Sequence, residues 1–505
     1  MNSANNLLFR RQFILGTNES KNFDGWTKKI IGDKFFLYCH PELGIDYIKS
    51  GEKEITVLGY ILDPFNPQYT NDVILEQIMQ NSNSFNDVLA CTEKYSGRWV
   101  LIWRDKSGVK IFNDACGTRQ IYYYIDKNEV WCGSQPSIIA HELGLEPSLT
   151  PEIEEYIHSS EYRFECAWIG DGTIYDNLWH MLPNHFLDME LLEVKRFWPD
   201  MQELPELDMD TAVIETANII RGTILSTWYR FKKIMLSVTA GLDSRMNLAA
   251  SKPIKDEIKY FFCIETPDKQ NTDFRISSQL LGKLHLEQDV IGLYEDNDKF
   301  TDIYNKNVTM ASDLPSKRFI YSFHNELPDY IHVSGVGAGV ARGFYNCDNT
   351  RVSSEKISKA AGYKNSRYVR GFIEKWLSDA EGIKKLKTIN IYDIFYWEHR
   401  MGNWGAKSCA EQDIAIEETW PYNNRKLLIT MLSVNAKYRK DPFCKFHRKV
   451  IKYLWEETLC MPVNPNLMKK VYSFVKGCPS SIQQTCNEWG NRVHKRHHSN
   501  IIIKN

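Results

Sequence analysis

Thr239, Asp243 and Ser244 stand in a short stretch, KIMLSVTAGLDSRMNLAA, whose side-chain types and spacing suit the binding of an anion. The two hydroxyls can donate hydrogen bonds, and the small residues Ala240 and Gly241 let a ligand approach the backbone. A helix that begins after the glycine would point its unpaired amides and its dipole at the same place, which suits a phosphate chain. Asp243 fits such a site if it holds a cation.

Strand and helix patterns surround this stretch. Residues 234–238 form an apolar run of strand length, and the helix predicted after the turn ends at Ser251-Lys252-Pro253. Further strands are predicted at 258–264 and 286–291, and further helices at 273–284 and at 210–231, with Asp210 as the N-cap of the latter. This alternation predicts a parallel, doubly wound sheet, which binds ligands beyond the carboxyl ends of its strands.

The first 140 residues read as β-rich. One helix is predicted near residues 71–79, and the turn Asp105-Lys106-Ser107-Gly108 predicts a hairpin. Short β-branched or aromatic runs predict strands at residues 35–38, 55–58, 99–103, 109–112 and 121–124.

Composition excludes several classes of function. The 505 residues suggest two to three domains, and the formal net charge of -2 argues against a nucleic-acid partner. No apolar run reaches the length of a membrane span, and the opening MNSANNLLFRRQFILG is unlike a secretory signal, so a cytoplasmic location without a membrane partner is expected. None of the 12 cysteines has C-x-x-C spacing, which argues against a zinc ribbon.

The sequence Thr239-Ala240-Gly241-Leu242-Asp243-Ser244 resembles the pyrophosphate loop Ser-Gly-Gly-x-Asp-Ser of the ATP-pyrophosphatases, in particular the asparagine synthetase family. The turn has no lysine, so it is not a Gly-Lys-Ser/Thr nucleotide loop. The resemblance implies that residues 206–505 form an ATP-pyrophosphatase domain, like the adenine nucleotide α-hydrolases, with a doubly wound parallel sheet and a helical C-terminal part. It also implies ATP and Mg²⁺ as cofactors, with Asp243 as the metal ligand. The implied ATP-binding residues are Leu236, Thr239, Ala240, Gly241, Leu242, Asp243, Ser244, Cys263, Ser334 and Gly335.

A second loop, residues 331–339, is similar to the family's Ser-Gly-Glu-Gly-x-Asp-Glu. Ser334, Gly335 and Gly337 match, but Val336 and Gly339 replace the two acids. With one carboxylate lost, Asp243 alone would hold magnesium more weakly. Glu398 and Asp413 are candidates to replace the missing acid, and Arg342 offers a guanidinium to a carboxylate or phosphate.

Two further parts of the chain match the family. In MPVNPNLMKK, Lys470 or its neighbour Lys469 stands where the family has a catalytic lysine that stabilises phosphate charge. The segment YSGRWVLIWRDKSGVKIFNDACGTRQIYYY resembles the family's glutaminase domain. This resemblance implies that residues 1–200 form an αββα sandwich of the N-terminal nucleophile hydrolases, including a connector.

The glutaminase chemistry is not expected to carry over. The family places a cysteine directly after the initiator Met, whereas position 2 here is Asn2 and the first cysteine is Cys39. The oxyanion turn appears as Leu58-Gly59-Tyr60-Ile61, and Thr70 replaces the acid that holds the amine of glutamine.

The function expected from this pattern is an ATP-dependent amide ligase. It would adenylate a small-molecule or peptide carboxylate, release pyrophosphate, and pass the acyl group to an amine or to free ammonia. Two alternatives stay open: a catalytically impaired nucleotide-binding homologue with a structural or regulatory role, and asparagine synthesis with external ammonia. Assembly as a homodimer also stays open.

Overall fold

Two antiparallel sheets and one parallel sheet form the framework of the chain. They are seen in a computed structural model that describes residues 6–127, 129–200, 203–264, 271–295, 297–313, 316–363 and 366–465. The predicted mixture of strands and helices with a parallel sheet is confirmed.

The described strands are, in chain order, β1 (Phe13–Gly16), β2 (Thr27–Ile31), β3 (Phe35–Cys39), β4 (Ile45–Ser50), β5 (Lys53–Leu62), β6 (Ser96–Asp105), β7 (Gly108–Asn113), β8 (Tyr122–Asp126), β9 (Glu129–Gly133), β10 (Leu178–His180), β11 (His185–Asp188), β12 (Glu193–Arg196), β13 (Ile234–Ser237), β14 (Ile258–Cys263), β15 (Asp289–Ile291), β16 (Ile331–Val333) and β17 (Glu417–Thr419).

The described α-helices are α1 (Asn71–Asn81), α2 (Phe85–Thr92), α3 (Pro136–Leu143), α4 (Pro151–Ile157), α5 (Ser160–Glu165), α6 (Met209–Phe231), α7 (Leu242–Ala250), α8 (Thr272–Lys283), α9 (Asp298–Asn307), α10 (Ser316–Glu326), α11 (Ser354–Ala360), α12 (Arg367–Asp379), α13 (Ile391–Phe395), α14 (Ala406–Gln412), α15 (Arg425–Leu432), α16 (Ala436–Arg439) and α17 (Lys445–Trp455). Short 3-10 segments span Lys252–Glu257, Ala338–Arg342, Glu381–Lys385 and Glu456–Leu459, and a π-helical stretch spans Tyr396–Gly405. No described helix has both the length and the apolar character that a membrane crossing requires.

The two antiparallel sheets pack face to face. Their strand orders are β10-β8-β9-β1-β3-β2 and β12-β11-β7-β6-β5-β4. Phe13 and Leu15 of β1 share one buried core with Val57 of β5, whereas Ile14, on the opposite face of the same strand, packs with Ile138 of α3. Helix α1 lies on β4 and β5, so the layers follow the order helix, sheet, sheet, helix.

The strands predicted in this part are all present, but the prediction of a single helix near residues 71–79 was incomplete. A second helix, α2, follows α1. Ser84 and Asp87 form a capping box at its start, a local signal that the strand pattern on either side obscured.

The parallel sheet has the order β15-β14-β13-β16-β17, with β13 in the centre. The chain leaves β13 towards β14 and β15, then returns to the other side of β13 for β16 and β17. The loops after β13 and β16 therefore diverge at the carboxyl edge of the sheet and leave a crevice there, where sheets of this order bind ligands. Asp208, and not the predicted Asp210, caps the preceding helix α6, because its carboxylate accepts hydrogen bonds from the amides of Asp210 and Thr211.

Buried ion pairs join the antiparallel sheets to the parallel sheet. Arg98 forms a two-pronged pair with Asp413, with Nη2 2.7 Å from Oδ2, and Arg119 Nη2 lies 2.6 Å from Glu417 Oε1. Burial alone would raise the pKa of the Glu417 carboxyl, but Arg119 and the other nearby arginines outweigh it and hold the pKa below its ordinary value. The paired charges therefore fix how the two parts meet.

Replacing Asp413 with Asn is expected to destabilise the protein by about 3–5 kcal/mol, because Arg98 would keep its buried charge without a full counter-charge. The shift of the urea unfolding transition measures this loss. Asp302→Asn is the matched control, since Asp302 pairs with Lys306 on the surface, and it should leave the transition almost unchanged. Equal behaviour of the two variants would contradict the role given to the buried pair.

A second buried polar group lies where β10 meets the π-helical stretch. His180 stacks on Tyr122 at 4.5 Å, and its Nδ1 lies 3.0 Å from Asn403 Oδ1. Burial lowers the pKa of His180 to about 4 and that of His399 to about 3. Both rings are therefore neutral in the folded protein at pH values where they would be charged in the unfolded chain.

The stabilisation from these neutral histidines should be fully present above about pH 7.5 and should be lost progressively as the pH falls through about 6.5, because these two histidines then bind protons only in the unfolded chain. His180 alone should contribute a loss of about 2 kcal/mol between pH 7.5 and pH 5. His180→Phe keeps an aromatic ring on Tyr122 and should reduce this slope when melting temperatures are compared across the range. The exposed His158→Phe is the control, and an unchanged slope in His180→Phe would refute the assignment.

Candidate functional site

The crevice at the carboxyl edge of the parallel sheet contains most of the residues that the sequence singled out. Strand β13 ends at Ser237, and the loop that follows enters α7 through Gly241, which is the N-cap with extended dihedral angles. Because α7 begins at Leu242, the amides of its first turn have no partner inside the helix. Asp243 and Ser244 belong to this turn, as predicted.

Two hydroxyls brace the loop from within. Thr239 Oγ1 lies 2.9 Å from Ser244 Oγ, which accepts a hydrogen bond from the amide of Thr239 at 3.2 Å. The amide of Gly241 donates to Thr239 Oγ1 at 3.0 Å. These hydroxyls therefore shape the loop in addition to offering donors to a ligand.

The amide of Ala240 donates to a carboxylate. Its partner is Asp273 Oδ1, at 3.1 Å, which extends from the first turn of α8. A negatively charged oxygen is thus held by the backbone of the loop, as a phosphate oxygen would be. Asp273 was missed as a site residue. It lies in the first turn of the helix that follows β14, and β14 is the strand next to β13, so the starts of α7 and α8 lie side by side.

The second loop lies directly against the first. A Cβ atom on Gly335 would lie 3.1 Å from the amide nitrogen of Ser244 and 3.2 Å from Cβ of Asp243, so glycine permits this approach. Asn247 of α7 donates to the carbonyl of Ser334 at 3.0 Å and ties the loops together. The structure thus brings together the predicted pair Ser334-Gly335 and the predicted loop 239–244.

Arg342 pairs with Asp243 across the crevice. Its Nη2 lies 3.0 Å from Asp243 Oδ2, while Oδ1 of the same carboxylate is buried and has no hydrogen-bond partner among the described residues. Burial raises the pKa of the Asp243 carboxyl, and Arg342 opposes this. Burial would also lower the pKa of Arg342, but Asp243 and the nearby Asp441 raise it above its ordinary value. Asp441 carried no recognisable signal in the sequence.

Among the described residues, no carboxylate fills the two acidic positions of the second loop. A Cβ atom on Gly339 would lie 2.4 Å from the Tyr396 hydroxyl oxygen, so the phenol occupies the space of a side chain there. Val336 packs on the hydrophobic core.

The proposal that Glu398 or Asp413 replaces the missing acid is wrong. Glu398 is fully buried, pairs with Arg196 and accepts from Trp376 Nε1 at 2.8 Å, and Asp413 pairs with Arg98. Ion pairs elsewhere in the fold therefore engage both.

The donor set at this place does not fit a magnesium ion. Magnesium prefers an octahedral shell of oxygen ligands with carboxylate charge. Asp243 supplies one carboxylate, and a guanidinium already lies against it. No group of three or more His, Cys, Asp and Glu residues in the described ranges is placed to hold a metal ion.

A cavity of about 370 Å³ opens beside the first loop, under α10. Thr239 and Cys263 line it, together with Phe261 and His332 and with the Lys407–Glu411 pair of α14. Lys407 Nζ donates to the carbonyl of Cys166 and lies 3.4 Å from Glu411 Oε1. The cavity thus joins an apolar wall to one cation and one anion.

The remaining predicted residues lie in different surroundings. Leu236 and Leu242 are almost fully buried and pack in the core, so the Leu236 side chain does not line the cavity. Lys469 and Lys470 lie outside the described residues. The chain that leads to them reaches the loop, because the amide of Asn464 donates to the carbonyl of Ala240 at 3.0 Å.

Arg245, buried in α7, donates hydrogen bonds to the carbonyls of Thr458 and Met461, a contact that the sequence did not predict.

The described residues of the region that resembles a glutaminase domain make structural contacts at the positions where the family has its reactive groups. The chain continues before β1, and Gln12 Nε2 and the amide of Phe9 bond to Asn307 of α9 at 2.7 and 2.6 Å. Gly59 lies against the carbonyl of Arg98, and the Tyr60 hydroxyl donates to the carbonyl of Glu418 at 3.3 Å. Asn2 lies outside the described residues, and Thr70 is the N-cap residue of α1.

No model of a known protein family and no curated protein matches this chain.

Gly339→Ala is expected to destabilise the protein by about 1–3 kcal/mol, because the added methyl group would displace the Tyr396 ring. Urea unfolding measures the loss. Gly371 lies in the exposed interior of α12 with open space around it, so Gly371→Ala is the control and should be neutral or stabilising by up to about 1 kcal/mol. A neutral Gly339→Ala would show that Tyr396 does not fill the second acidic position.

Proposed function

We propose that the chain is an ATP-dependent ligase of the asparagine synthetase type, which forms an amide by way of an acyl-adenylate. One observation carries the proposal: the loop 239–244 enters α7 at the crevice of the parallel sheet, where Gly335 approaches it to van der Waals contact. On this proposal, residues 206–505 form an ATP-pyrophosphatase domain, and residues 1–200 form a sandwich like that of the N-terminal nucleophile hydrolases.

The loop would hold the phosphates through its backbone. The first-turn amides of α7 and the positive end of its dipole face the crevice, and the hydroxyls of Thr239 and Ser244 fix the shape of the loop. The amide of Ala240 already donates to the carboxylate of Asp273, so this amide would bind a phosphate oxygen only in place of Asp273. Lys470 would stabilise the charge of the departing pyrophosphate, and Asn464 brings the preceding chain to the loop.

The cavity beside Thr239 would receive the substrate. Lys407 offers a positive charge to a carboxylate, Glu411 offers a negative charge to an amine, and Phe261 supplies an apolar wall. Both charged groups are buried, so a bound carboxylate would be oriented with little competition from water. ATP and the acyl substrate would then meet in this cavity, which Cys263 also lines.

The amine would come from a separate molecule or from ammonia, and not from glutamine hydrolysed in the same chain. An N-terminal nucleophile needs a free amine at the start of its strand, whereas β1 here is preceded by residues that dock on α9. The charged network of Arg98 and Arg119 occupies the junction between the two parts.

A second candidate function is nucleotide binding without catalysis. The Arg342–Asp243 pair and the Tyr396 phenol at Gly339 favour it, since both take the place of groups that would hold magnesium. Such a protein would bind ATP as a structural or regulatory ligand.

Exchange of labelled pyrophosphate into ATP tests the ligase, with aspartate, uronic acids and acidic peptides supplied in turn. We expect exchange that depends on one class of carboxylate and falls on the order of 100-fold in Asp243→Ala, because the charge arrangement at the phosphates is lost. Asp256→Ala, at an exposed carboxylate near the far end of β13, is the matched control.

Tight ATP binding without exchange for any carboxylate would favour the second candidate function. Release of ammonia from glutamine by the purified protein would refute the proposed source of the amine.

A further inference from the structure

The positive charge that faces Asp243 is the guanidinium of Arg342. Arg342 ends the 3-10 segment that follows the second loop, and its side chain reaches back across the crevice to the first turn of α7. The Asp243 and Arg342 side chains are 25% and 15% exposed, so the pair lies at the inner end of the crevice with access to solvent.

A divalent cation at Asp243 would have to share this carboxylate with a guanidinium. The two positive charges would repel each other at a few ångströms, and the partly buried position weakens screening by water. Asp441 adds a second negative charge near Arg342 and favours the guanidinium in this place.

The second loop offers no further carboxylate ligand to a metal ion. The second loop has no acid at Gly339, where the Tyr396 phenol leaves no room for one, and Val336 is apolar. Val336, Gly339 and Arg342 all lie within the second loop and the 3-10 segment that continues it.

We propose that Arg342 takes the place of a divalent cation at Asp243, so that the loop 239–244 binds the phosphates of a nucleotide without magnesium. A guanidinium has five N–H donors, and the contact with Asp243 Oδ2 uses Nη2. Its Nε is buried, so the donors within reach of a phosphate oxygen are those at the end of the guanidinium, on a side chain that is 15% exposed. This inference rests on the proposed nucleotide site and names its counter-ion.

Calorimetric titration of the full chain with ATP, in excess EDTA and in excess magnesium chloride, tests the inference. The wild-type dissociation constants should agree within about threefold, because Arg342 supplies the counter-charge in both cases. Arg342→Gln should weaken binding in EDTA by about tenfold or more, and magnesium should restore part of this loss at the freed Asp243. Arg342→Lys keeps the charge and should still bind ATP in EDTA.

Arg367→Gln removes an exposed arginine at the start of α12 and serves as the matched control. Thermal melting of each variant without nucleotide separates a loss of binding from a loss of folding. A wild-type affinity that falls tenfold or more in EDTA would overturn the role of Arg342 and leave the nucleotide site of the proposed function standing. Absence of ATP binding in both buffers would overturn the nucleotide site and this inference together.

Discussion

The approach of the Gly335 backbone to the first turn of α7 is the contact on which the candidate site depends. A Cβ atom at position 335 would lie 3.1 Å from the amide nitrogen of Ser244 and would have to displace this turn slightly, and the contact also depends on β16 lying next to β13 in the sheet. Since β16 lies next to β13, the two loops meet at the carboxyl edge of the sheet, where sheets of this order bind ligands. The hydrogen bond from Asn247 to Ser334 then fixes their distance, so a ligand would meet a preformed site.

The antiparallel sheets contribute to this site by holding β17, the strand next to β16 at the edge of the parallel sheet. Glu417 and Asp413 flank the entry to β17, and they are neutralised by arginines from the other part of the chain. The Trp397 indole donates to the carbonyl of Ala115 at 2.7 Å and joins the two parts near the π-helical stretch. The antiparallel sheets therefore support the parallel sheet through these buried contacts.

The sequence was informative where local rules apply. The apolar run before Thr239, the small residues of the turn and the breaker after Ala250 predicted the strand, loop and helix at the centre of the parallel sheet. The order of strands and helices predicted that this sheet is parallel. Most strands before residue 127 followed from their β-branched and aromatic runs.

Long-range pairing could not be read from the chain. The residues around Arg342 in the sequence do not show that it pairs with Asp243 and is not a surface arginine. The residues around Asp413 likewise do not show that it pairs with Arg98 and does not bind a metal ion. Both pairs form because elements distant in the sequence pack together. The same holds for Tyr396, whose phenol fills the space at Gly339 from a different helix. The fold was thus more predictable than the electrostatics of the candidate site.

The number of residues in the π-helical stretch Tyr396–Gly405 determines which of its side chains lies beside the second loop. A π-helical turn contains more residues than an α-helical turn, so the number of residues in this stretch sets which side chain faces the loop. One residue fewer would rotate Tyr396 by about 100° relative to the residues that follow it. The space beside Gly339 would then be open to a carboxylate. An insertion or deletion in this helix would therefore change the side chain beside Gly339, as a substitution in the second loop would.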